Sequence, residues 1–139
     1  RAQGAVAPTL PCGGVTVEIP RKPEYLNSCD CTLCFRLGAL WGYFDPAEVI
    51  VEGETKAFVR GDIEVWLQTN FCPTCSAVVS WTARRELSAP RMGVNMRLFD
   101  PDEMLGLPIR FPNGRDLNDE GERPPARHAE VPFARDAPF

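Results

Sequence analysis

Five of the six cysteines fall into two tight clusters, and this spacing limits what the 139-residue chain can become more than any other feature. The first cluster is Cys29-Asp30-Cys31-Thr32-Leu33-Cys34, a C-x-C-x2-C run. The second is Cys72-Pro73-Thr74-Cys75, a C-x2-C run, and Cys12 stands alone before the first strand-like segment. Zn–S bonds of about 2.3 Å in a tetrahedron hold sulfurs about 3.8 Å apart. A tight turn between cysteines two or three positions apart reaches that separation. A disulfide needs a specific torsion that such short loops strain, whereas zinc stabilises the thiolates it binds. The Cys29 cluster is therefore read as a zinc-ligating turn, with a redox or disulfide cluster and simple buried thiols as the rivals. For Cys72–Cys75 the rival is a thioredoxin-like redox motif, which opens a helix after a strand. Here the strand-like run Val78-Val79-Ser80-Trp81 follows, which favours metal. Two closed four-cysteine sites need more cysteines than the six present, leaving four plus two or three plus three. A zinc with three protein ligands keeps one position open for water or substrate, the arrangement of catalytic sites.

Other chemistries are excluded by what the chain lacks. Its one histidine, His128, lies in a Pro-rich tail, which argues against His-dependent triads, His-rich metal sites and proton relays. A formal net charge of −4 argues against nucleic acid or anionic membrane as a partner. No apolar run approaches the 18 or so residues of a membrane span. No charged-then-apolar leader segment is visible, and a cytoplasmic protein is expected.

The hydrophobic pattern is that of short strands. Val15, Val17 and Ile19 alternate with Thr16 and Glu18 over 14–19, and Pro20 stops the run. Residues 20–28 read as a loop, and the Cys-dense turn over 29–34 leads into a short helical turn to Ala39. Further strands are expected at 41–44, 49–51, 55–59, 63–69, 77–82 and 93–99, separated by Gly and Asp turns. Asp100-Pro101 is a helix start, with Asp100 as cap and Pro101 in the first turn, for a helix reaching about Gly106. The expected class is mainly β with antiparallel strands. Residues 1–111 form the body and residues 112–139 a Pro-rich extended arm that Val131, Phe133 and Phe139 can pin down.

Several segments together resemble the glutathione-dependent formaldehyde-activating (GFA) domain family, which includes centromere protein V. Cys12-Gly-Gly-Val-Thr-Val-Glu is similar to the second half of its opening C-x-C-G-x-V-x-(Phe/Tyr)-E segment. Cys29-Asp-Cys31-Thr-Leu-Cys34-Phe-Arg36 is similar to its C-H-C-x-x-C-R-(Arg/Lys) segment. Phe71-Cys72-Pro-Thr-Cys75-Ser-Ala-Val-Val-Ser-Trp81 resembles its F-C-x-x-C-G-x-x-x-x-W segment, and Gly93-Val-Asn95-Met-Arg97-Leu-Phe-Asp100 its later strand. The resemblance covers about residues 10–105. It implies a β-tent fold of short antiparallel strands pinned by zinc. It also implies two zinc sites: a structural one at Cys12, Cys72 and Cys75, and a catalytic-type one at Cys29, Cys31 and Cys34. The sequence departs from the family at Leu10, where a fourth structural cysteine is expected, at Ser76, usually Gly, and at Asp30, often His.

The activity this resemblance implies is that of a zinc-dependent carbon–sulfur lyase, joining or separating a small thiol such as glutathione and an aldehyde-type electrophile. The alternative is a non-catalytic, zinc-stabilised binding module. Asp30, the carboxylate nearest in sequence, is a candidate proton carrier. Arg36, two residues beyond Cys34, is a candidate substrate contact, although a solvated arginine is the default. Core packing is the default for Trp41, Trp66, Trp81, Phe44 and Phe71. Trp41, Tyr43 and Phe44 follow the Cys29 cluster closely and are also candidates to wall a substrate groove. Arg84, Arg85, Arg91 and Arg97 make a local basic excess suited to ligand carboxylates.

Overall fold

The computed structural model describes residues 5–6, 10, 12–62, 66–115 and 124–136. Its strands are β1 (Ala5–Val6), β2 (Thr16–Ile19), β3 (Leu26–Asn27), β4 (Trp41–Phe44), β5 (Ile50–Glu52), β6 (Lys56–Phe58), β7 (Leu67–Phe71), β8 (Val78–Ala83), β9 (Met92–Asn95), β10 (Pro108–Phe111) and β11 (His128–Pro132). They form a three-stranded sheet, β1-β2-β5, and an eight-stranded sheet, β11-β10-β3-β4-β9-β8-β7-β6. All pairings are antiparallel except β3 with β10, where Leu26 lies beside Ile109 and Asn27 beside Arg110. The mainly β, antiparallel expectation holds, with that one parallel pair added.

The alternation in β2 does what its period demands. Val15, Val17 and Ile19 are buried while Thr16 and Glu18 are partly exposed. These apolar residues share one cluster with Leu26, Val79, Val94 and Ile109 of the larger sheet. A second cluster is built on Trp41, Trp81 and Ala39, with Cys34, Tyr43 and Trp66 packed against it. Trp81 lies across β9 at Gly93, where a Cβ would stand 2.1 Å from the indole nitrogen, so this position accepts nothing larger than glycine. Trp41, Trp81 and Phe44 are core residues as expected, and Trp66 and Phe71 are partly buried.

Where structure and sequence reading differ, local hydrogen bonding or distant pairing is the reason. The run read as one strand over 93–99 stops at Asn95. Its side chain accepts a hydrogen bond from the Arg97 amide at 3.2 Å and starts a 3-10 turn, Met96–Leu98. The short helix α2 (Pro101–Met104) has the expected cap, with Asp100 accepting from the Asp102 amide at 2.9 Å. Leu26–Asn27, read as loop, is a strand because β10 and β4 flank it. In the segment beyond residue 111, β11 pairs with β10, Phe133 is buried and Val131 packs on the core. Phe139, part of the expected strand over 63–69 and most of the lead-in before Leu10 lie outside the described residues.

The turn joining β7 to β8 carries Cys72 and Cys75. The Cys72 amide donates to the Ala77 carbonyl and the Ser76 amide to the Cys72 carbonyl, both at 2.9 Å. The turn closes with Ser76 at φ 69°, the left-handed region that a Cβ disfavours. Ser76→Gly is expected to stabilise the fold by about 1 kcal/mol. That is a rise of roughly 3 °C in melting temperature for a chain of this size, and thermal unfolding followed by circular dichroism measures it. An unchanged or lower melting temperature would show that the serine is not strained.

Candidate metal centre

The Cys29 turn is held on both sides by the large sheet. β3 precedes it, and the short helix α1 (Cys34–Leu37) follows, closed by Gly38 at φ 67° with its amide on the Cys34 carbonyl. The sulfurs of Cys29, Cys31 and Cys34 all lie within 4.8 Å of one another. Each also accepts an N–H: Cys29 from the Cys31 amide at 3.4 Å, Cys31 from the Cys34 amide at 3.3 Å, and Cys34 from the Trp41 indole at 3.4 Å. Three sulfurs at this spacing, each supported by an N–H donor, match the needs of a tetrahedral thiolate-bound ion with one open position. The Cys31 thiol is held far below its usual range by the neighbouring Cys29 and Cys34 thiols and by backbone amides. The Cys29 and Cys31 thiols in turn push Cys34 up. Crowded thiols resist losing their protons together, and a bound cation removes that conflict.

Cys12, Cys72 and Cys75 form the second three-sulfur group, again within 4.8 Å. The Cys12 and Cys72 sulfurs are 3.4 Å apart, and Cys12 accepts the Gly14 amide at 3.3 Å. Backbone N–H donors at Cys75 and Thr74 help lower the Cys72 thiol to about 7. Leu10 is buried in the same apolar cluster as Cys72 and supplies no donor.

A cleft of about 460 Å³ opens beside the first group. Cys29, Asp30, Cys34, Phe35, Arg97, Arg115 and Arg127 are among its lining residues. Asp30 is fully engaged there. Its Oδ1 accepts the amides of Gly114 and Arg115 at 2.9 and 3.1 Å, and its Oδ2 lies 3.6 Å from the Arg127 Nε. Arg127 also donates to the carbonyl and hydroxyl of Ser28 and stacks over Phe111. The chain at residue 114 passes so close to the cysteines that a Cβ on Gly114 would lie 2.7 Å from the Cys29 sulfur and 3.3 Å from the Cys31 Cβ.

Trp41 is buried and meets the site through its indole N–H on Cys34, rather than as a groove wall. Arg36 donates to the Thr32 carbonyl at 2.6 Å and lines a separate concavity with Phe58, Arg60 and Asp62. Arg60 ties that side to the Cys turn, donating to the Thr32 hydroxyl at 2.8 Å while paired with Asp62. Within the basic stretch, Arg97 reaches the cleft, whereas Arg85 stacks over Trp66 and Arg91 over Tyr43. Arg115, Arg127 and Gly114 had no sequence signal, because only the return of the chain along β10 and β11 brings them to the cysteines.

The architecture so described is a mainly β domain with two three-cysteine groups, one of them opening on a cleft. The profile of the family described as glutathione-dependent formaldehyde-activating enzyme matches residues 7–107, and the chain belongs to this GFA family. A crystal structure of a Rhodobacter sphaeroides protein superposes with a TM-score of 0.56 at 22% identity, covering 69% of this chain and 88% of that one; this likeness is one of fold. No curated protein sequence matches the chain. Among the described residues, no helix is long and apolar enough to cross a membrane.

Two outcomes follow from this geometry. Gly114→Ala is expected to weaken zinc binding at the Cys29 group by about tenfold, since overpacking costs of order 1–3 kcal/mol. Gly61→Ala, where an added Cβ meets nothing within 4 Å, serves as the neutral control in a competition titration with a chromogenic chelator. Equal affinities in the two variants would refute the close approach. Leu10→Cys is expected to raise tightly held zinc from about one to about two per chain, because structural zinc takes four protein ligands. Elemental analysis after dialysis against a weak chelator reads the difference. Two resistant zincs in the unaltered protein would mean that another donor completes the second site.

Proposed function

We propose that the protein is a zinc-dependent carbon–sulfur lyase-type enzyme that joins a small thiol such as glutathione to an aldehyde, or separates the two. The observation that carries this reading is the opening of the Cys29–Cys31–Cys34 group onto a cleft large enough for a small molecule. A purely structural zinc turn has no use for such a cleft, and this favours the enzyme over a binding module. The family description names the thiol and the aldehyde.

In this reading Cys29, Cys31 and Cys34 would hold the zinc, while Cys12, Cys72 and Cys75, one thiolate short of a closed tetrahedron, would form a second, structural-type site that retains an ion only weakly. A zinc held by three thiolates would supply one coordination position and favour the thiolate form of a substrate thiol there. The chain positions the reactants, and proximity provides much of the rate. The N–H donors on the three cysteine sulfurs spread their charge, so that a further anionic sulfur is tolerated nearby. The substrate sulfur adds to the carbonyl carbon, a C–S bond forms, and the π pair moves to oxygen, which takes a proton from water. The thiol proton is released to solvent, and the reverse sequence is elimination. With its carboxylate engaged by two amides and Arg127, Asp30 is better suited to hold the cleft wall in place than to carry that proton.

Zinc-replete protein is expected to accelerate the glutathione–formaldehyde exchange at least tenfold over the uncatalysed rate, as measured by exchange NMR. Cys34→Ser should lose that acceleration together with tight zinc at this site. Fully loaded protein that accelerates neither direction with any small thiol would overturn the reading.

A further inference from the structure

The family match ends at residue 107, yet the cleft beside the cysteines is completed by residues beyond it. Gly114 lies against Cys29, Arg115 lines the cleft, and Arg127 anchors the returning chain at Asp30 and Ser28. Asp30 is therefore a clasp: one carboxylate takes two amides and faces one guanidinium, all from the segment following β10.

The charges of the cleft sort themselves accordingly. Arg127 is committed to Asp30, Ser28 and the Phe111 ring. Arg115, with an exposed side chain and its backbone fixed by the Asp30 clasp, and Arg97, from the turn after β9, bring further positive charge to a wall that Cys29 and Cys34 share. A sulfur ligand at the open side of the cysteine group would have its remaining atoms in this cleft, within reach of guanidinium groups, which bind carboxylates through pairs of parallel hydrogen bonds.

We propose that the C-terminal segment is the specificity element of this site: Arg115, together with Arg97, selects thiols that carry a carboxylate, and Asp30 is the positioning residue that holds Arg115 at the cleft. This rests on the proposed thiol chemistry at the Cys29 group and adds to it the class of thiol and the residue that reads it. The consequence is a preference for an anionic over a neutral thiol of the same shape, one that weakens with salt, as contacts between exposed charges do.

The test uses the full-length chain loaded with cobalt(II), whose sulfur-to-metal absorption reports a thiol arriving at the metal without reference to turnover. The probes are 3-mercaptopropionate and its neutral amide, 3-mercaptopropionamide, titrated at low and at high sodium chloride. The acid is expected to bind about tenfold more tightly at low salt. Arg115→Ala should reduce the preference severalfold, and Arg115→Glu should abolish or invert it, read as the ratio of acid to amide affinity within each variant. Arg115 is exposed, so neither variant threatens folding. Equal affinity of acid and amide in the unaltered protein overturns the proposal but leaves the thiol chemistry standing. A preference that survives Arg115→Glu also overturns it. If neither thiol perturbs the cobalt spectrum, the underlying reading of the site fails, and the proposal with it.

Discussion

Three sulfur atoms gathered within 4.8 Å pose a problem of charge, and the surrounding structure is arranged around its solution. Deprotonated together they repel one another, and protonated they bind no ion. Three N–H groups ease this, a bound cation would complete the relief, and the N–H groups come from different levels of the structure. Two are amides of the cysteine turn itself, set by local geometry. The third is the indole of Trp41, a buried residue on a central strand. A buried indole N–H without an acceptor costs about 1–3 kcal/mol, so the aromatic core and the sulfur cluster each satisfy a need of the other. Loss of the ligand geometry is thus transmitted to the packing of Trp41 against Ala39 and Trp81.

The parts legible in the sequence were those with a local cause. The period of Val15, Val17 and Ile19 placed β2, the Asp100-Pro101 pair placed α2, and the cysteine spacing placed the Cys29 group, while the grouping of Cys12 with Cys72 and Cys75 came from the family resemblance. The departure at Ser76 was legible too, because a turn that suits glycine strains a residue with a side chain. What sequence proximity misjudged was direction. Arg36 follows Cys34 by two residues, but on a helix residues two apart do not face the same way. Its side chain accordingly meets Thr32 on another surface. Trp41 was close enough to wall a groove, yet its place in β4, paired with Asn27 and Asn95, turns it into the core.

The rest was illegible because its causes lie far apart in the chain. Leu26 and Asn27 have no strand signal of their own and become a strand only because β10 lies alongside. Gly114 looks like any loop glycine until the Cys29 sulfur is placed 2.7 Å from where its side chain would begin. Arg115 and Arg127 sit in a polar, Pro-rich stretch that reads as an extended arm, and β11 and Phe133 supply the anchorage that makes their position definite.

The pairing of β3 with β10, and of Asp30 with a residue 84 positions later, also has a temporal meaning. During synthesis Asp30 and the cysteines beside it leave the ribosome 84 residues ahead of Gly114, and well ahead of the strand that pairs with β3. Non-local and parallel contacts of this kind form late and slowly. The sulfurs therefore stay uncovered until that later segment arrives, and an ion that entered in the interval would be enclosed by it rather than threaded into a finished fold.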